Sequence, residues 1–394
     1  MAKEHYTLTV EPITCVHIGT GEQLSPLDYK ISRSKQGNDL FINFSSDSIL
    51  NRIAADPEKS AEFERLSSGG NMKALADFFH ENAKNADINY SCHCTREFLK
   101  IWEANKDKDP LQNGSFVEQM YRQGMRPVIP GSSLKGAVRT AVLNHFLLQV
   151  SDEKYDGLFD ELNRYKNDNS EKEFEGKMQQ ELLNFDDAKN DPFRALQFGD
   201  CVFDGRGTQI VGALKNIKTD RDGEVVEHNT SQILAEAIKG YFMHNGTDAN
   251  LAGEARFALD VDLAEEKEAV SKKITIQDIV DACNYFYWRE FKTEYEKFYK
   301  DADSSECDAI IKLFKELKAV AEDAQKQNEF IIRVGRWSQV EFVTFDKNFR
   351  SPKTRKGKDG KPLSSGTTRT VFNYDGLYLP FGWCKCSFIP LEEK

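Results

Sequence analysis

The segment from Arg126 to Ala141 constrains the fold more than any other part of the chain, because an extended stretch turns there into a helix. Val128 and Ile129 are short and apolar, and Pro130-Gly131 breaks the direction of the chain. From Leu134 onward apolar residues recur at helical spacing, which predicts a helix with one face against a core. The sequence therefore predicts a strand, a tight turn and a half-buried helix in immediate succession.

The opening of this helix carries polar and basic side chains. Ser132 or Ser133 can cap it, because a hydroxyl oxygen accepts a hydrogen bond from an unpaired backbone N–H. Ser132, Lys135 and Arg139 follow at i, i+3 and i+7, away from the apolar face. A helix N-terminus has free N–H groups and a positive dipole end, so these side chains predict a site for a polyanion. The alternative is a capped amphipathic helix with two solvated cations, and these residues alone do not decide between the two.

Residues Ile129–Thr140, which read IPGSSLKGAVRT, resemble the signature of the RAMP superfamily, the RRM-like CRISPR proteins that hold guide RNA. Three further segments are similar to the terminal RAMP subunits, the fifth Csm proteins, of type III-A effector complexes. These segments are Leu8–Tyr29, Ile332–Ser338 and Pro380–Trp383. The resemblance implies two RRM-like (ferredoxin-like) units, expanded by helical insertions.

The order of predicted elements agrees with that fold class. Strand patterns are interrupted by helices without regular alternation, which predicts an α+β fold. Residues 231–238 and 254–261 are interpreted as strands of a second sheet, and the clearest helices are 276–299 and 308–327. At 394 residues, two units are expected. The first spans 1–215, with helical insertions near 46–105 and 151–191, and the second spans 216–394, with a helical insertion near 270–327 and a basic loop at 347–369.

Composition is typical of a soluble globular protein, with 39% hydrophobic and 30% charged residues. No window is apolar enough to cross a membrane, and the first residues have no signal-peptide core, so we expect a cytoplasmic protein with no membrane association. The eight cysteines contain no C-x-x-C pair, which predicts reduced thiols. Nothing in the sequence indicates a cofactor.

Charge is unevenly distributed along the chain. Residues 347–369 hold eight Lys or Arg and one acid, or +7, so the remainder carries -11 minus 7, or -18. A basic loop on an acidic body suits a protein that touches RNA along one edge and meets protein partners elsewhere. Arg355 and Arg369 are the predicted phosphate ligands of this loop, because a guanidinium can pair with two oxygens. The alternative is a solvated surface loop.

A second candidate is the turn Gly335-Arg336-Trp337, which follows the strand pattern at 330–334. A permissive backbone, a guanidinium and a large aromatic ring can together hold a phosphate and stack a base. The alternative is a core tryptophan beside an exposed arginine. RAMP proteins carry a glycine-containing loop at this place, and the resemblance therefore implies RNA binding here. This chain has only one glycine in the turn, so close approach of RNA to the backbone at Trp337 and Ser338 is not implied.

Other motifs are weaker. His17–Gly21 lacks the third glycine of a dinucleotide-binding loop, and Gly131–Gly136 is not a phosphate-binding Walker A loop. Zinc needs four ligands, and we expect buried thiols rather than a metal site at Cys92/Cys94 and Cys384/Cys386.

Asp28 invites a nuclease hypothesis through the resemblance, because backbone RAMP subunits use an aspartate in the loop after the first strand for metal-dependent RNA cleavage. A lone carboxylate does not make a metal site. Asp28 is therefore expected to be a turn residue, and no catalytic residue is assigned.

The resemblance implies a non-enzymatic subunit that binds and caps the guide RNA (crRNA) of a type III-A CRISPR ribonucleoprotein in antiviral defence. It would hold the 3′ part of the guide and contact neighbouring RAMP (Csm) subunits, with target RNA present in the assembled complex. The alternatives are a metal-dependent endoribonuclease and a pure protein scaffold.

Overall fold

The chain is described in a computed structural model. The described residues are 3–34, 37–111, 114–167, 171–205, 207–211, 214–219, 225–228, 233–241, 252–265, 272–300, 308–323, 328–346, 366, 368–374 and 377–391.

The described residues include ten α-helices. They are α1 (Ser46–Ile53), α2 (Pro57–Ser68), α3 (Met72–Asn82), α4 (Arg96–Asn105), α5 (Gly131–Leu147), α6 (Asp152–Asn167), α7 (Glu171–Leu183), α8 (Val261–Glu265), α9 (Ile276–Phe298) and α10 (Asp308–Glu322).

Nineteen strands accompany them. They are β1 (Lys3–Pro12), β2 (Gly19–Leu24), β3 (Tyr29–Arg33), β4 (Asp39–Phe44), β5 (Ile88–Cys94), β6 (Val117–Met120), β7 (Arg122–Gln123), β8 (Arg126–Ile129), β9 (Leu196–Phe198), β10 (Cys201–Val202), β11 (Thr208–Val211), β12 (Leu214–Thr219), β13 (Val225–His228), β14 (Leu234–Ile238), β15 (Gly253–Asp260), β16 (Glu329–Arg333), β17 (Thr368–Tyr374), β18 (Leu377–Pro380) and β19 (Trp383–Pro390).

The first sheet has the order β16-β19-β1-β15-β10-β8-β7, and β9 also pairs with β15. Strand β1 lies near its centre, where Val10 stands opposite Gly253 on one side and Cys386 on the other. Leu8 and Val10 are buried, whereas the threonines between and beside them are half-exposed, as expected for a strand with one face on a core. This sheet therefore brings both ends of the described chain together.

Helix α9 covers the sheet and packs against α5, α10 and β16. It begins with a capping box, in which Thr275 and Asp278 each accept a hydrogen bond from the other's backbone N–H. Its buried residues include Ile279, Phe286 and Phe291, which extend around more than one face because the helix contacts the sheet and two helices. The predicted helices at 276–299 and 308–327 are confirmed over their described residues.

The second sheet has the order β2-β6-β14-β11-β5-β4-β3, and a third has the order β13-β12-β17-β18. Residues 231–238 and 254–261 contain strands β14 and β15, as predicted, but the two strands lie in different sheets, and β14 pairs with β6 and β11 from the predicted first unit. The prediction that they share one sheet is wrong, because β15 pairs with β1 along its whole length in the first sheet. The sequence pattern predicted that these residues form a strand, but it did not indicate which strand they pair with.

The two helical insertions predicted for the first unit are largely helical. Helices α1 to α4 occupy most of residues 46–105, although β5 passes through the same stretch as an inner strand of the second sheet. Helices α6 and α7 occupy most of 151–191. The boundary at 215 stays a prediction, and the first sheet takes strands from both sides of it.

The described cysteines are free thiols. Cys92, Cys384 and Cys386 are buried and Cys94 is half-buried, which agrees with the interpretation of both pairs as core residues. None of the described helices is both long and apolar enough to cross a lipid bilayer.

Candidate nucleic-acid interface

Helix α5 begins at Gly131, but no serine caps it. Pro130 holds the cap position, and the Asp200 carboxylate accepts a hydrogen bond from Gly131 N at 2.8 Å. A Cβ atom at Gly131 would lie 2.3 Å from the carbonyl oxygen of Phe198, so only glycine fits there. The predicted cap by Ser132 or Ser133 is therefore wrong. Ser132 is exposed beside this helix end and Ser133 is half-buried.

The two cations of α5 contact protein groups. Lys135 Nζ donates to the carbonyl oxygens of Phe193 and Leu196, at 2.7 and 3.0 Å, and burial lowers its pKa. The Arg139 guanidinium pairs with Asp191 at 2.9 Å and lies over the Phe193 ring. Both side chains therefore fasten the turn around 192–195 to the helix. RNA binding by Lys135 and Arg139 stays a prediction, and a phosphate would have to compete with these bonds.

The turn after β16 is tightly fixed. Gly335 has φ +87°, and a Cβ atom there would lie 2.5 Å from the carbonyl oxygen of His17. The same oxygen accepts a hydrogen bond from Arg336 N at 2.9 Å. Trp337 and Gln339 also have positive φ, a conformation that side chains other than glycine rarely adopt. Such backbone persists only where the surroundings enforce it, and it is common at functional sites.

The side chains of this turn have different environments. Trp337 packs on His17, with ring centroids 5.3 Å apart, and on Phe381, with centroids 4.6 Å apart. Arg336, by contrast, has 44% of its side chain exposed and forms an ion pair with Glu118 on β6. The arrangement is an aromatic ring held against the protein beside an accessible guanidinium.

Sequence reasoning missed that Glu118 lies beside His17. The His17 ring is fully buried, and Nδ1 donates to the carbonyl oxygen of Glu236 at 2.7 Å. Nε2 lies 4.0 Å from a carboxylate oxygen of Glu118 and has no hydrogen-bond partner among the described residues. Burial lowers the pKa of His17, and the Arg336 charge lowers it further. The His17–Gly21 motif was visible in the sequence, but the distant Glu118 carried no signal.

A buried network supports His17 from behind. The Glu236 carboxylate accepts hydrogen bonds from Tyr90 at 2.9 Å and from Thr208 at 2.8 Å, and it forms an ion pair with Arg122. The Arg122 guanidinium in turn lies 3.8 Å from the centroid of the Tyr90 ring. This network joins β5, β7, β11 and β14. It therefore fixes the position of the Glu236 carbonyl on β14 that accepts the hydrogen bond from His17.

Of the two arginines predicted as phosphate ligands in the basic segment at 347–369, only Arg369 lies among the described residues. Residues 347–365, including Arg355, lie outside the described residues. Arg369 lies in β17 rather than in a loop, and 2% of the residue is exposed. Its guanidinium contacts Glu341 at 3.0 Å and Glu294 at 3.4 Å. These ion pairs place Arg369 in the core, and it is excluded from the candidate interface.

Asp28 has the turn role expected of it. Its carboxylate accepts hydrogen bonds from Ser25 N at 2.8 Å and from Ser25 Oγ at 2.7 Å. No group of three or more His, Cys, Asp or Glu side chains that could hold a metal ion occurs in the part of the chain that the structure describes.

Comparison with known proteins places this geometry in a family. The fold resembles a chain of the cryo-EM structure titled Csm-crRNA-target RNA ternary complex in type III-A CRISPR-Cas system, at 17% identity and a TM-score of 0.59, covering 99% of this chain and 100% of that chain. It also resembles the crystal structure of T. onnurineus Csm5, at 17% identity and a TM-score of 0.55, covering 95% and 99%. These likenesses confirm the predicted α+β fold. No curated protein matches the sequence. The model of the RAMP superfamily matches residues 9–353, and the chain therefore belongs to that superfamily.

Proposed function

We propose that this chain binds guide RNA and caps a type III-A CRISPR ribonucleoprotein. It would hold the 3′ part of the crRNA and contact neighbouring Csm subunits, with target RNA paired to the guide. Membership of the RAMP superfamily and the fold shared with Csm subunits support this proposal. The observation that carries it is the exposed guanidinium of Arg336 on a fixed, glycine-dependent turn.

The chemistry of the turn suits a phosphate better than a base. Arg336 presents a planar cation that can pair with two phosphate oxygens. The turn beneath it is held by the hydrogen bond from Arg336 N to His17 and by the packing of Trp337 on Phe381, so little conformational entropy would be lost on binding. Trp337 already packs on His17 and Phe381, and it would orient the turn rather than stack on a freely exposed base. Phosphate contacts carry no sequence information, which the guide supplies by base pairing.

The start of α5 would add a second contact. Ser132 is exposed at the helix N-terminus, where the helix dipole favours an anion, although the Asp200 carboxylate already accepts the hydrogen bond from Gly131 N and a phosphate would have to bind beside it. Ser133 offers a further hydroxyl group. Lys135 could join only by releasing the carbonyl oxygens of Phe193 and Leu196, so we expect it to contribute less than Arg336.

The proposal is tested by Arg336→Ala. We expect weaker binding of guide RNA, with the slope of log affinity against log salt smaller by about 0.7, the value for one phosphate contact to a single strand. Arg65→Ala is the matched control, since it removes the same charge from an exposed position on α2, which packs on α1 and α3. Equal affinities and salt slopes for wild type and Arg336→Ala would exclude Arg336 as a phosphate ligand.

The capping position is tested by a second experiment, photocrosslinking of the assembled complex. Guides that carry one 4-thiouridine at successive positions are assembled with the other subunits and irradiated. Crosslinks to peptides containing residues 329–338 are expected from the 3′ part of the guide. Crosslinks confined to the 5′ part would contradict the capping role.

A further inference from the structure

Arg336 is not free in the structure. Its guanidinium pairs with Glu118, whose residue surface is 9% exposed, and Glu118 also faces Nε2 of the buried His17. An arginine that binds RNA from this position must therefore exchange one anion for another. The carboxylate it leaves behind is nearly buried, and an unpaired buried charge is strongly unfavourable.

We propose that Glu118 competes with RNA phosphate for Arg336, and that His17 takes up a proton and replaces Arg336 as the partner of Glu118 when RNA binds. This inference rests on the proposed RNA-binding function. It assigns positioning roles to Glu118 and His17, neither of which touches RNA.

The hydrogen-bond pattern supplies the reason. A carbonyl oxygen can only accept, so the bond to Glu236 fixes the proton of neutral His17 on Nδ1. Nε2 then turns a lone pair toward the Glu118 carboxylate 4.0 Å away, and two acceptors cannot bond. A proton on Nε2 would convert this contact into a charged pair. Little movement is required, because the two atoms already lie at the outer limit of an ion pair.

The charges around His17 make the exchange selective. Three charged groups face the ring: Glu118 on β6, Glu236 on β14 and Arg336 on the turn after β16. The Glu236 carboxylate is occupied by Arg122, Tyr90 and Thr208, so it does not depend on His17. Arg336 is the group whose position changes on binding. Its departure leaves Glu118 as the uncompensated charge beside Nε2.

The exchange makes the affinity for RNA depend on pH. Without RNA, burial and Arg336 hold the pKa of His17 below its ordinary value, and the ring is neutral at pH 7. With RNA bound, Arg336 no longer neutralises Glu118 and the pKa rises. The bound state then holds more protons than the free state, so RNA affinity increases as pH falls through the bound-state pKa. The gain ends below the free-state pKa, where both states are protonated.

The decisive experiment is calorimetry of single-stranded guide RNA binding to the full chain between pH 6 and 8, in buffers of different ionisation enthalpy. Wild type is expected to take up a fraction of a proton near pH 7. Glu118→Gln should raise affinity at pH 8 by about two- to fivefold, the range for release of a partly exposed ion pair, and should abolish proton uptake. Glu161→Gln is the matched control, because it removes an equal charge from the pair with Lys177 on α6 and α7.

His17→Gln provides the complementary variant. The glutamine amide can still donate to the Glu236 carbonyl but cannot be protonated, so uptake should vanish and affinity should fall at pH 6 relative to wild type. If it does not fold, wild-type proton uptake and Glu118→Gln still test the inference.

These measurements distinguish RNA binding by Arg336 from the exchange of Arg336 for His17 beside Glu118. If RNA binds equally well to wild type and Arg336→Ala, the proposed function fails at this turn. If binding needs Arg336, but wild type takes up no proton and Glu118→Gln leaves affinity unchanged, the inference alone is overturned.

Discussion

Gly335 is the residue on which the turn depends, because both its backbone angle and its surroundings require glycine. Its φ of +87° is unfavourable for a side chain, and an added Cβ atom would meet the His17 carbonyl at 2.5 Å. We expect Gly335→Ala to lower the free energy of unfolding by roughly 1–3 kcal/mol. Chemical denaturation measures this change.

Gly157→Ala is the matched control. Gly157 lies in α6, and a Cβ atom there would have nothing within 4 Å. The same substitution should therefore stabilise the protein by about 0.5–1 kcal/mol, because alanine favours helix. Equal effects at the two positions would show that the turn can relax around a side chain.

For single residues, the sequence predicted the site where the residues concerned are neighbours along the chain. The resemblance directed attention to Gly335 and Arg336, and the turn is where it was expected. His17 was discounted as part of a nucleotide loop, and strand β2 rather than a helix follows it. The neighbouring Glu118 lies a hundred residues away in the sequence, and a contact at that separation leaves no periodicity or spacing to detect.

Among the elements, α9 is tied to the sheets by buried ion pairs. Glu294 contacts Arg333 on β16 at 2.7 Å and Arg369 on β17 at 3.4 Å, and Arg369 also reaches Glu341. Burial alone would raise the pKa of Glu341, but Arg369 holds it below its ordinary value. The cluster joins elements that the hydrophobic core alone would position less specifically.

Removing Glu294 should be costly. Glu294→Gln leaves two buried guanidinium groups with less compensation, so we expect a loss of roughly 3–5 kcal/mol in unfolding free energy. Glu296→Gln, two residues along the same helix, breaks an exposed pair with Lys300 and should cost less than about 0.5 kcal/mol. Urea denaturation compares them, and similar midpoints would mean that the buried pairs contribute no net stability.

Element types were more predictable than element partners. The helices at 276–299 and 308–327 followed from periodicity, and short alternating segments gave the strands. Arg369 was assigned to a basic loop because like charges cluster before it, whereas β17 places it against two acids from other elements. The composition of a segment does not predict its burial, because burial depends on which other elements of the chain pack against it.

At the scale of the whole molecule, the strand order of the first sheet predicts that its central strands unfold cooperatively. Strand β1 pairs with β15 along one edge and with β19 along the other. We expect the amides of these three strands to exchange with deuterium in one step under mild denaturant, because loss of β1 removes a partner from both neighbours. Mass spectrometry of peptides from 3–12, 253–260 and 383–390 follows this exchange. Earlier exchange in β19 would instead indicate units that open separately.

The central position of β1 also matters while the chain is being made. Cys386, the partner of Val10, is synthesised 376 residues after it (386 minus 10). At a synthesis rate of about 5–20 residues per second, the strand waits roughly 20–75 seconds for that neighbour. Until β15 has been made, both edges of β1 are unpaired, and its free backbone groups are accessible to other nascent chains. The production of this protein in cells should therefore depend on chaperones that bind extended segments of unfolded chains.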